Sequence, residues 1–172
     1  TNTMTTTTRT MSKEDTNNIL ALTNLIHGES GLKGGDDFRL TVGSSALNRV
    51  DANRPNEFGT NLSEVIGRKN AYYAVQNNVD AYKEGVSQKF SHPNNELAWK
   101  RSNQLAAGLY TGNIPRKQGL FFHTDEEIKK QRAAKTFNYD AVYDINDVRT
   151  DDGQIFRVMD YAKPKKSVAP VI

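Results

Sequence analysis

The apolar positions of residues 17–31 recur at spacings of three and four, which predicts a helix with one side packed against a core. These positions are Ile19, Leu22, Leu25 and Ile26. Ser12 and Asp15 have the residue types and the spacing of a helix start. Glycine is the usual residue in the left-handed turn past a helix end, so we expect this helix to end near Gly28 or Gly31.

Two further helical patterns follow in the first half of the chain. Residues 38–50 predict a second helix, whose small residues permit close packing against the first helix. Asp36 and Asp37 are expected to form its N-terminal cap and first turn. A short third helix is expected to begin at Thr60 or Asn61.

The second half of the chain changes from helical to extended patterns. Residues 94–111 predict a long helix that ends at Gly112. Its apolar stripe consists of Leu97, Leu105 and Leu109. A capping pattern at residues 124–127 predicts one more helix. From residue 142 to residue 161 the pattern indicates two strands joined by an Asp-Gly turn.

These elements predict an α+β fold that is mainly helical, with short strands and a C-terminal β-hairpin extension. We expect a flexible arm at residues 1–11, a folded domain at 12–136, and a hairpin with a flexible tail at 137–172. A two-stranded ribbon alone is marginal in water, so the hairpin needs a surface to pack against. That surface is either its own domain or a protein partner bound through residues 137–172.

Composition and charge exclude several classes of protein. The chain has no cysteine, which excludes disulfides and thiolate chemistry. It has no run of about 18 apolar residues, so we expect no membrane span. The threonine-rich residues 1–10 lack the layout of a secretory signal. The net charge is +3 with dispersed Lys and Arg, so no specific nucleic-acid binding is expected, and three unclustered histidines predict neither a metal site nor a cofactor.

Glu29 is the only acid in residues 17–31 and is the candidate catalytic residue. It falls at the C-terminal edge of the first predicted helix, next to the apolar side. Partial burial and the negative end of the helix dipole both disfavour a carboxylate and raise its pKa. A raised pKa suits a general acid, whereas the alternative from this pattern alone is a solvated residue at a helix end.

Four sequence blocks carry a resemblance to a known family. They are IHGES at residues 26–30, SALNRV at 45–50, LSEVI at 62–66 with AYYA at 71–74, and GLFFH at 119–123. In their order and approximate spacing, across about residues 17–124, the chain resembles the SleB-type cell wall hydrolases, which include the spore cortex-lytic enzymes. Ser30 and Thr124 depart from the family's alanine and asparagine, and these departures concern substrate contacts more than the acid.

The resemblance implies a lysozyme-like fold for residues 12–136 and an enzyme whose partner is the glycan strand of peptidoglycan. The implied cleavage is between N-acetylmuramic acid and N-acetylglucosamine, with the acid at the position of Glu29. No second acid is evident beyond Asp36 and Asp37, which have a capping role. This favours a lytic transglycosylase, in which the sugar's own hydroxyl closes an anhydro ring, over a hydrolase.

The place of action follows from the same resemblance. An enzyme of the bacterial cell wall without an evident signal peptide would be delivered as a phage lysin or as a virion component. The alternative function is a catalytically inactive, lysozyme-like structural protein of a larger assembly.

Aromatic residues are the candidates for substrate contact. Tyr72 and Tyr73 could stack on sugar rings, although core packing is expected to take at least one of them. Phe121 and Phe122 alternate along an extended run, so one fills the core and the other, taken here as Phe122, faces the cleft. His123 either hydrogen-bonds sugar or is an ordinary surface histidine.

Two residues are expected to support the site rather than to touch substrate. Gly28 precedes the catalytic position, and Asn48 belongs to the second block. Asn48 is either a polar residue satisfied inside the helix bundle or a group that holds the catalytic loop.

Overall fold

The computed structural model describes residues 10–162, and this part of the chain has an α+β architecture with a small antiparallel sheet. Its helices are α1 (Lys13–Ser30), α2 (Asp36–Asp51), α3 (Pro55–Phe58), α4 (Leu62–Gly67), α5 (Tyr73–Gln76), α6 (Asp80–Ser87), α7 (Pro93–Thr111) and α8 (Asp125–Ala134). Its strands are β1 (Phe121–His123), β2 (Val142–Arg149) and β3 (Ile155–Tyr161). The predicted fold class, mainly helical with short strands, is confirmed at this level.

Helix α1 has the predicted ends. The Asp15 N–H donates to the Ser12 hydroxyl at 3.0 Å, and the Ser12 N–H donates to the Asp15 carboxylate at 3.1 Å. The helix ends at Ser30, where Gly31 adopts φ +54° and its N–H donates to the His27 carbonyl. Both ends are fixed by contacts within a few residues, which is why the sequence predicts them.

Helix α2 begins earlier than predicted and has a different cap. Gly35, at φ +78°, precedes the helix, and Asp36 and Asp37 lie in the first turn. The expectation that an aspartate caps this helix is therefore wrong. Asp36 instead forms ion pairs with Arg39 and with Arg101 of α7, which shows that tertiary partners decide its position.

Helices α4 and α8 and the C-terminal end of α7 agree with the predictions, whereas α7 begins at Pro93 with His92 as its cap, and the short helices α3, α5 and α6 were not predicted. Asn61 caps α4, and Gly112 ends α7 in the left-handed conformation. Leu97, however, is 62% exposed and does not belong to the buried side of α7. Ala98 takes that position, because it falls one helical period before the buried Ser102.

The sheet has the strand order β1-β3-β2, so β3 lies in the centre. On one side β3 pairs with β1, with Phe121 opposite Met159. On the other side it forms the predicted hairpin with β2, with Val148 opposite Phe156. The two terminal strands of the sequence therefore do not form an isolated ribbon.

The hairpin belongs to the same hydrophobic core as the helices. The buried core residues contributed by β2 and β3 are Val148, Phe156, Val158 and Met159. Phe38 of α2 stacks on Phe156, with ring centroids 4.5 Å apart. Residues after 137 were expected to form a separate extension. The structure does not support this boundary, because the core and the sheet both contain residues from before and after it. The expected arm at residues 1–9 and the tail after residue 162 lie outside the described residues.

One further observation concerns membranes. Within residues 10–162, no helix combines the length and the apolar character needed to cross a bilayer.

Candidate active site

Glu29 occupies the last turn of α1 and faces a groove rather than bulk solvent. The N–H of Ala74, in α5, donates to its Oε1 atom at 3.0 Å. Burial raises the pKa of Glu29 to about 7; the Ala74 hydrogen bond and the charge of Arg49 lower it, while the charge of Glu127 raises it further. A carboxyl group with this pKa is poised to exchange a proton near neutral pH.

The groove consists of three adjoining cavities. The central cavity, of about 460 Å³, is lined by Glu29, Arg49, Tyr73, Phe122, His123 and Glu127 among others. The Gly34 cavity, of about 420 Å³, shares Glu29, Tyr73 and Phe156 with it. The Phe137 cavity, of about 480 Å³, shares Arg49, Asn70 and His123 with the central cavity. Because neighbouring cavities share lining residues, they form one groove, and Glu29 lies where two of them meet.

The two adjacent tyrosines have different environments. Tyr72 is 2% exposed, and its hydroxyl lies 2.9 Å from the Ser45 hydroxyl, so it belongs to the core beneath the central cavity. Tyr72 lines the central cavity but exposes little of its surface there, so it offers a substrate much less contact area than Tyr73 does. Tyr73 is 73% exposed and lines both cavities beside Glu29, so it is the tyrosine that is free to stack on a ligand.

The extended run after Gly119 alternates as predicted. Phe121 is buried in the core, whereas Phe122 is half-buried and lines the central cavity. The Nδ1 atom of His123 lies 3.0 Å from the Tyr139 hydroxyl. Burial, with a contribution from the charge of Arg49, lowers the pKa of His123 to about 4. The imidazole is therefore neutral at neutral pH and is suited to hydrogen bonding.

Gly28 supports the site through a close approach of two helices. A side-chain carbon added at Gly28 would lie 3.1 Å from the Cβ atom of Ala74 and 3.0 Å from that of Tyr82. The absence of a side chain at Gly28 allows α5 to approach α1. That approach lets the Ala74 N–H reach the carboxyl group of Glu29.

Asn48 holds the loop that leads into β1. Its Nδ2 atom donates to the carbonyls of Lys117 and Gly119, both at 2.9 Å. Of the two alternatives for Asn48, the structure favours a loop-holding role. Because β1 follows this loop directly, Asn48 fixes the approach of Phe122 and His123 to the groove.

Arg49 is a groove residue to which no role was assigned from the sequence. It is buried, its Nε atom donates to the Leu120 carbonyl at 2.9 Å, and its guanidinium lies over the ring of Tyr72. Its positive charge lowers the pKa values of Glu29 and His123. An arginine within an otherwise apolar helical stretch was the available sequence signal.

Glu127 is a second carboxylate in the central cavity, and sequence reasoning missed it. It is half-buried in the first turn of α8, where its N–H donates to the Thr124 hydroxyl at 3.1 Å. The capping pattern at residues 124–127 already explains a glutamate at this position, so the local sequence gives no sign of a second role. The absence of a second acid, which favoured a transglycosylase, does not hold in the folded protein.

The other acids have different positions. Asp36 is held by Arg39 and Arg101, and neither Asp36 nor Asp37 lines the cavities that contain Glu29. Asp152 lines the Gly34 cavity from the turn between β2 and β3, where it is exposed and hydrogen-bonded to Thr150.

The central cavity provides two carboxyl groups, a neutral imidazole and a buried cation beside exposed aromatic surface. Within residues 10–162, no group of three or more metal-binding side chains is arranged to hold a metal ion. The chemistry that these residues offer is proton transfer at a bound ligand. Comparison of the chain with protein-family models, with curated proteins and with solved structures gave no significant match.

Proposed function

We propose that this protein cleaves the glycan strand of peptidoglycan between N-acetylmuramic acid and N-acetylglucosamine, with Glu29 as the general acid. The observation that carries this proposal is the carboxyl group of Glu29, whose burial in the groove raises its pKa to about 7. Breaking a glycosidic bond requires a proton on the leaving oxygen. A carboxyl group that is still protonated near neutral pH can deliver it.

The Ala74 hydrogen bond assigns different tasks to the two oxygens of this carboxyl group. An oxygen that accepts an N–H is the unprotonated one, so Oε1 accepts and Oε2 carries the proton. After the proton leaves, the Ala74 N–H and the charge of Arg49 stabilise the carboxylate. The carboxylate of Glu29 then takes up a proton again before the next cleavage.

The groove supports a polymeric sugar as the substrate. It extends on both sides of Glu29, which suits a chain that continues past the cleaved bond. Tyr73 and Phe122 offer flat apolar surfaces to the C–H faces of sugar rings. The Phe137 cavity is lined by Arg49, Arg68 and Lys69 against a single carboxylate, Glu57, which favours the negatively charged stem peptides of peptidoglycan.

The arrangement also supports the lysozyme-like fold that the four sequence blocks imply. In this proposal α1 ends at the catalytic acid, and the small sheet forms the opposite wall of the substrate groove. The bacterial cell wall is the proposed place of action, with a phage lysin or a virion component as the form in which the protein reaches it.

The test compares wild-type protein with Glu29→Gln on purified peptidoglycan. We expect a loss of about 10²–10⁴-fold in cleavage rate, because the amide cannot donate the proton. Glu14→Gln is the matched control, since Glu14 is an exposed acid in the first turn of the same helix. A circular dichroism melt establishes that both variants are folded.

Two outcomes contradict the proposal. If Glu29→Gln clears peptidoglycan at the wild-type rate, Glu29 is not the acid. If the folded wild-type protein leaves every glycan bond intact, the inactive structural protein becomes the better account.

A further inference from the structure

Glu127 and Glu29 line the same central cavity and come from different helices. Glu29 comes from the end of α1, and Glu127 comes from the start of α8, directly after the strand that carries Phe122 and His123. The two carboxyl groups are close enough for the charge of Glu127 to act on Glu29. A ligand in this cavity therefore lies beside two acids.

The two helix ends favour different protonation states. Glu29 is at the C-terminal end of α1, where the helix dipole disfavours a negative charge, whereas Glu127 is in the first turn of α8, where the dipole favours one. Burial raises the pKa of Glu127, and hydrogen bonds from Thr124 oppose this rise. Repulsion between the two charges further separates their titrations. The positions at the two helix ends therefore favour Glu29 as the protonated acid and Glu127 as the carboxylate.

We propose that Glu127 is the second catalytic carboxylate and activates a water molecule, so that the products are hydrolysed strands with reducing ends. This inference rests on the proposed role of Glu29 as the acid. A protonated acid on one side of a glycosidic bond and a carboxylate on the other are the two groups that glycoside hydrolysis requires.

The proposed reaction adds one water molecule to the glycosidic bond. Glu29 gives its proton to the glycosidic oxygen, and the C1–O bond breaks with its electron pair remaining on that oxygen. Glu127 accepts a proton from water, whose oxygen forms the new bond to C1. Water is thereby added across the bond, and the proton gained by Glu127 returns through solvent to Glu29.

Asp152 is the other acid in the Gly34 cavity beside Glu29, and it fits this role less well. It is exposed at a turn, and it is held by the Thr150 hydroxyl. It lines the Gly34 cavity but not the central cavity, where Phe122 and His123 lie. Asp152→Asn therefore serves as a comparison for the water-activating role, and we expect its products to keep reducing ends and its rate to fall less than that of Glu127→Gln.

The experiment uses full-length protein on purified peptidoglycan, followed by borohydride reduction and mass spectrometry. Reducing ends gain two hydrogens in this treatment, whereas anhydro ends do not. We expect reducing ends from the wild type and a loss of about 10²–10⁴-fold in rate for Glu127→Gln. Glutamine is also favoured at this third position of a helix, so the variant keeps the cap and removes only the charge.

Glu126→Gln is the matched control. Glu126 lies in the same helical turn, its side chain is 77% exposed, and it pairs with Lys130 outside the groove. We expect this variant to cleave at the wild-type rate. A second test uses Glu127→Ala with added sodium azide, since azide can attack C1 in place of the activated water. A glycosyl azide product would show that the variant lacks the base but keeps the acid and the folded groove. A variant that had only lost stability would not form it.

The outcomes separate this inference from the proposed function. Anhydro ends from the wild type, or an unchanged rate in Glu127→Gln, overturn the role of Glu127 and leave Glu29 as the acid. Should Glu29→Gln match the wild type, the proposed function fails and this inference fails with it.

Discussion

Burial shifts the pKa values of Glu29 and His123 in opposite directions within one groove. Burial disfavours the charged form of each group. The charged form of a carboxyl group is the deprotonated one, and the charged form of an imidazole is the protonated one. The pKa of Glu29 therefore rises to about 7, and that of His123 falls to about 4. Near pH 6 both groups are therefore largely neutral, and the fixed charges beside them in the central cavity are those of Arg49 and Glu127.

The pKa of Glu29 has a consequence for stability. The unfolded chain releases this proton near the ordinary value of 4.5, whereas the folded protein holds it to about pH 7. Stability contributed by the neutral carboxyl group is therefore present below pH 4.5 and is lost as pH rises through 7. We expect Glu29→Gln to stabilise the protein relative to wild type by on the order of 2 kcal/mol at pH 8 and by little at pH 4, since the residue is only partly exposed.

Urea unfolding at the two pH values measures this difference, with Glu14→Gln as the control at the exposed end of the helix. Arg49, Glu127 and the Ala74 N–H are the groups that act on Glu29, and all remain in the variant. An equal effect of Glu29→Gln at pH 4 and pH 8 would show that the carboxyl group is not desolvated.

Sequence could place Glu29 at the end of α1 because the helix end is a local feature, whereas the groove that buries Glu29 comes from distant residues. It could not choose between Tyr72 and Tyr73, since neighbouring residues differ only in the direction that tertiary contacts assign to them. The Ser45 hydroxyl of α2 holds Tyr72 in the core, and Tyr73 is left at the groove. Glu127 was missed for a related reason, because a capping residue and a cleft carboxylate have the same local pattern.

Helix α2 positions one wall of the groove through its side chains. The Ser44 hydroxyl accepts the Lys117 N–H, Asn48 donates to two carbonyls of the same loop, and Arg49 donates to the Leu120 carbonyl. These bonds join residues about 70 positions apart in the sequence. The loop before β1 has no regular structure, so its conformation depends on α2.

Asn48→Ala tests this dependence. The variant leaves two carbonyls without their donor, which costs about 1–3 kcal/mol if they remain shielded from water. We expect the cleavage rate to fall as well, because Phe122 and His123 follow the released loop. The measurements are the free energy of unfolding and the cleavage rate at a temperature well below the melting point.

Asn103→Ala is the matched control, since the Asn103 amide donates to the Thr23 hydroxyl away from the groove. It is expected to lose stability but not activity. If both variants lose activity in proportion to stability, Asn48 has no special role in positioning β1.

Helix ends were more predictable than helix faces. The ends of α1 and α7 depend on Ser12, Gly31 and Gly112, which act on their own neighbours in sequence. The buried side of α7 depends on what packs against it, and the leucine pattern alone placed Leu97 wrongly.

The folded part of the chain has one core, to which the hairpin contributes along with the helices. Met159 and Val158 are almost fully buried, and β3 provides the partner of β1. The boundary expected near residue 137 came from a change in sequence pattern. Such a change marks a switch from helix to strand, but it does not show whether the strands pack on the same core.

Cutting the chain after Phe137 should therefore unfold the protein rather than release an active domain. The deletion removes strands β2 and β3, so that only β1 of the sheet remains, and it exposes Phe38 and Phe121 to water. We expect the loss of a cooperative thermal transition and of all peptidoglycan cleavage. A chain that ends at Ala162 is the control, because it keeps every residue that the structure describes.

If the shorter chain kept a cooperative thermal transition and still cleaved peptidoglycan, residues 12–136 would form a separate catalytic domain after all. Residues 137–172 would then again be candidates for binding a protein partner.

The central position of β3 also affects the order in which the protein becomes competent during translation. Glu29 leaves the ribosome early, but Phe122, Glu127 and Phe156 complete its surroundings much later. A nascent chain interrupted before Phe156 would contain the acid without the groove that raises its pKa. Incomplete translation products should therefore be inert, and the producing cell would meet an active enzyme only once β3 has been made.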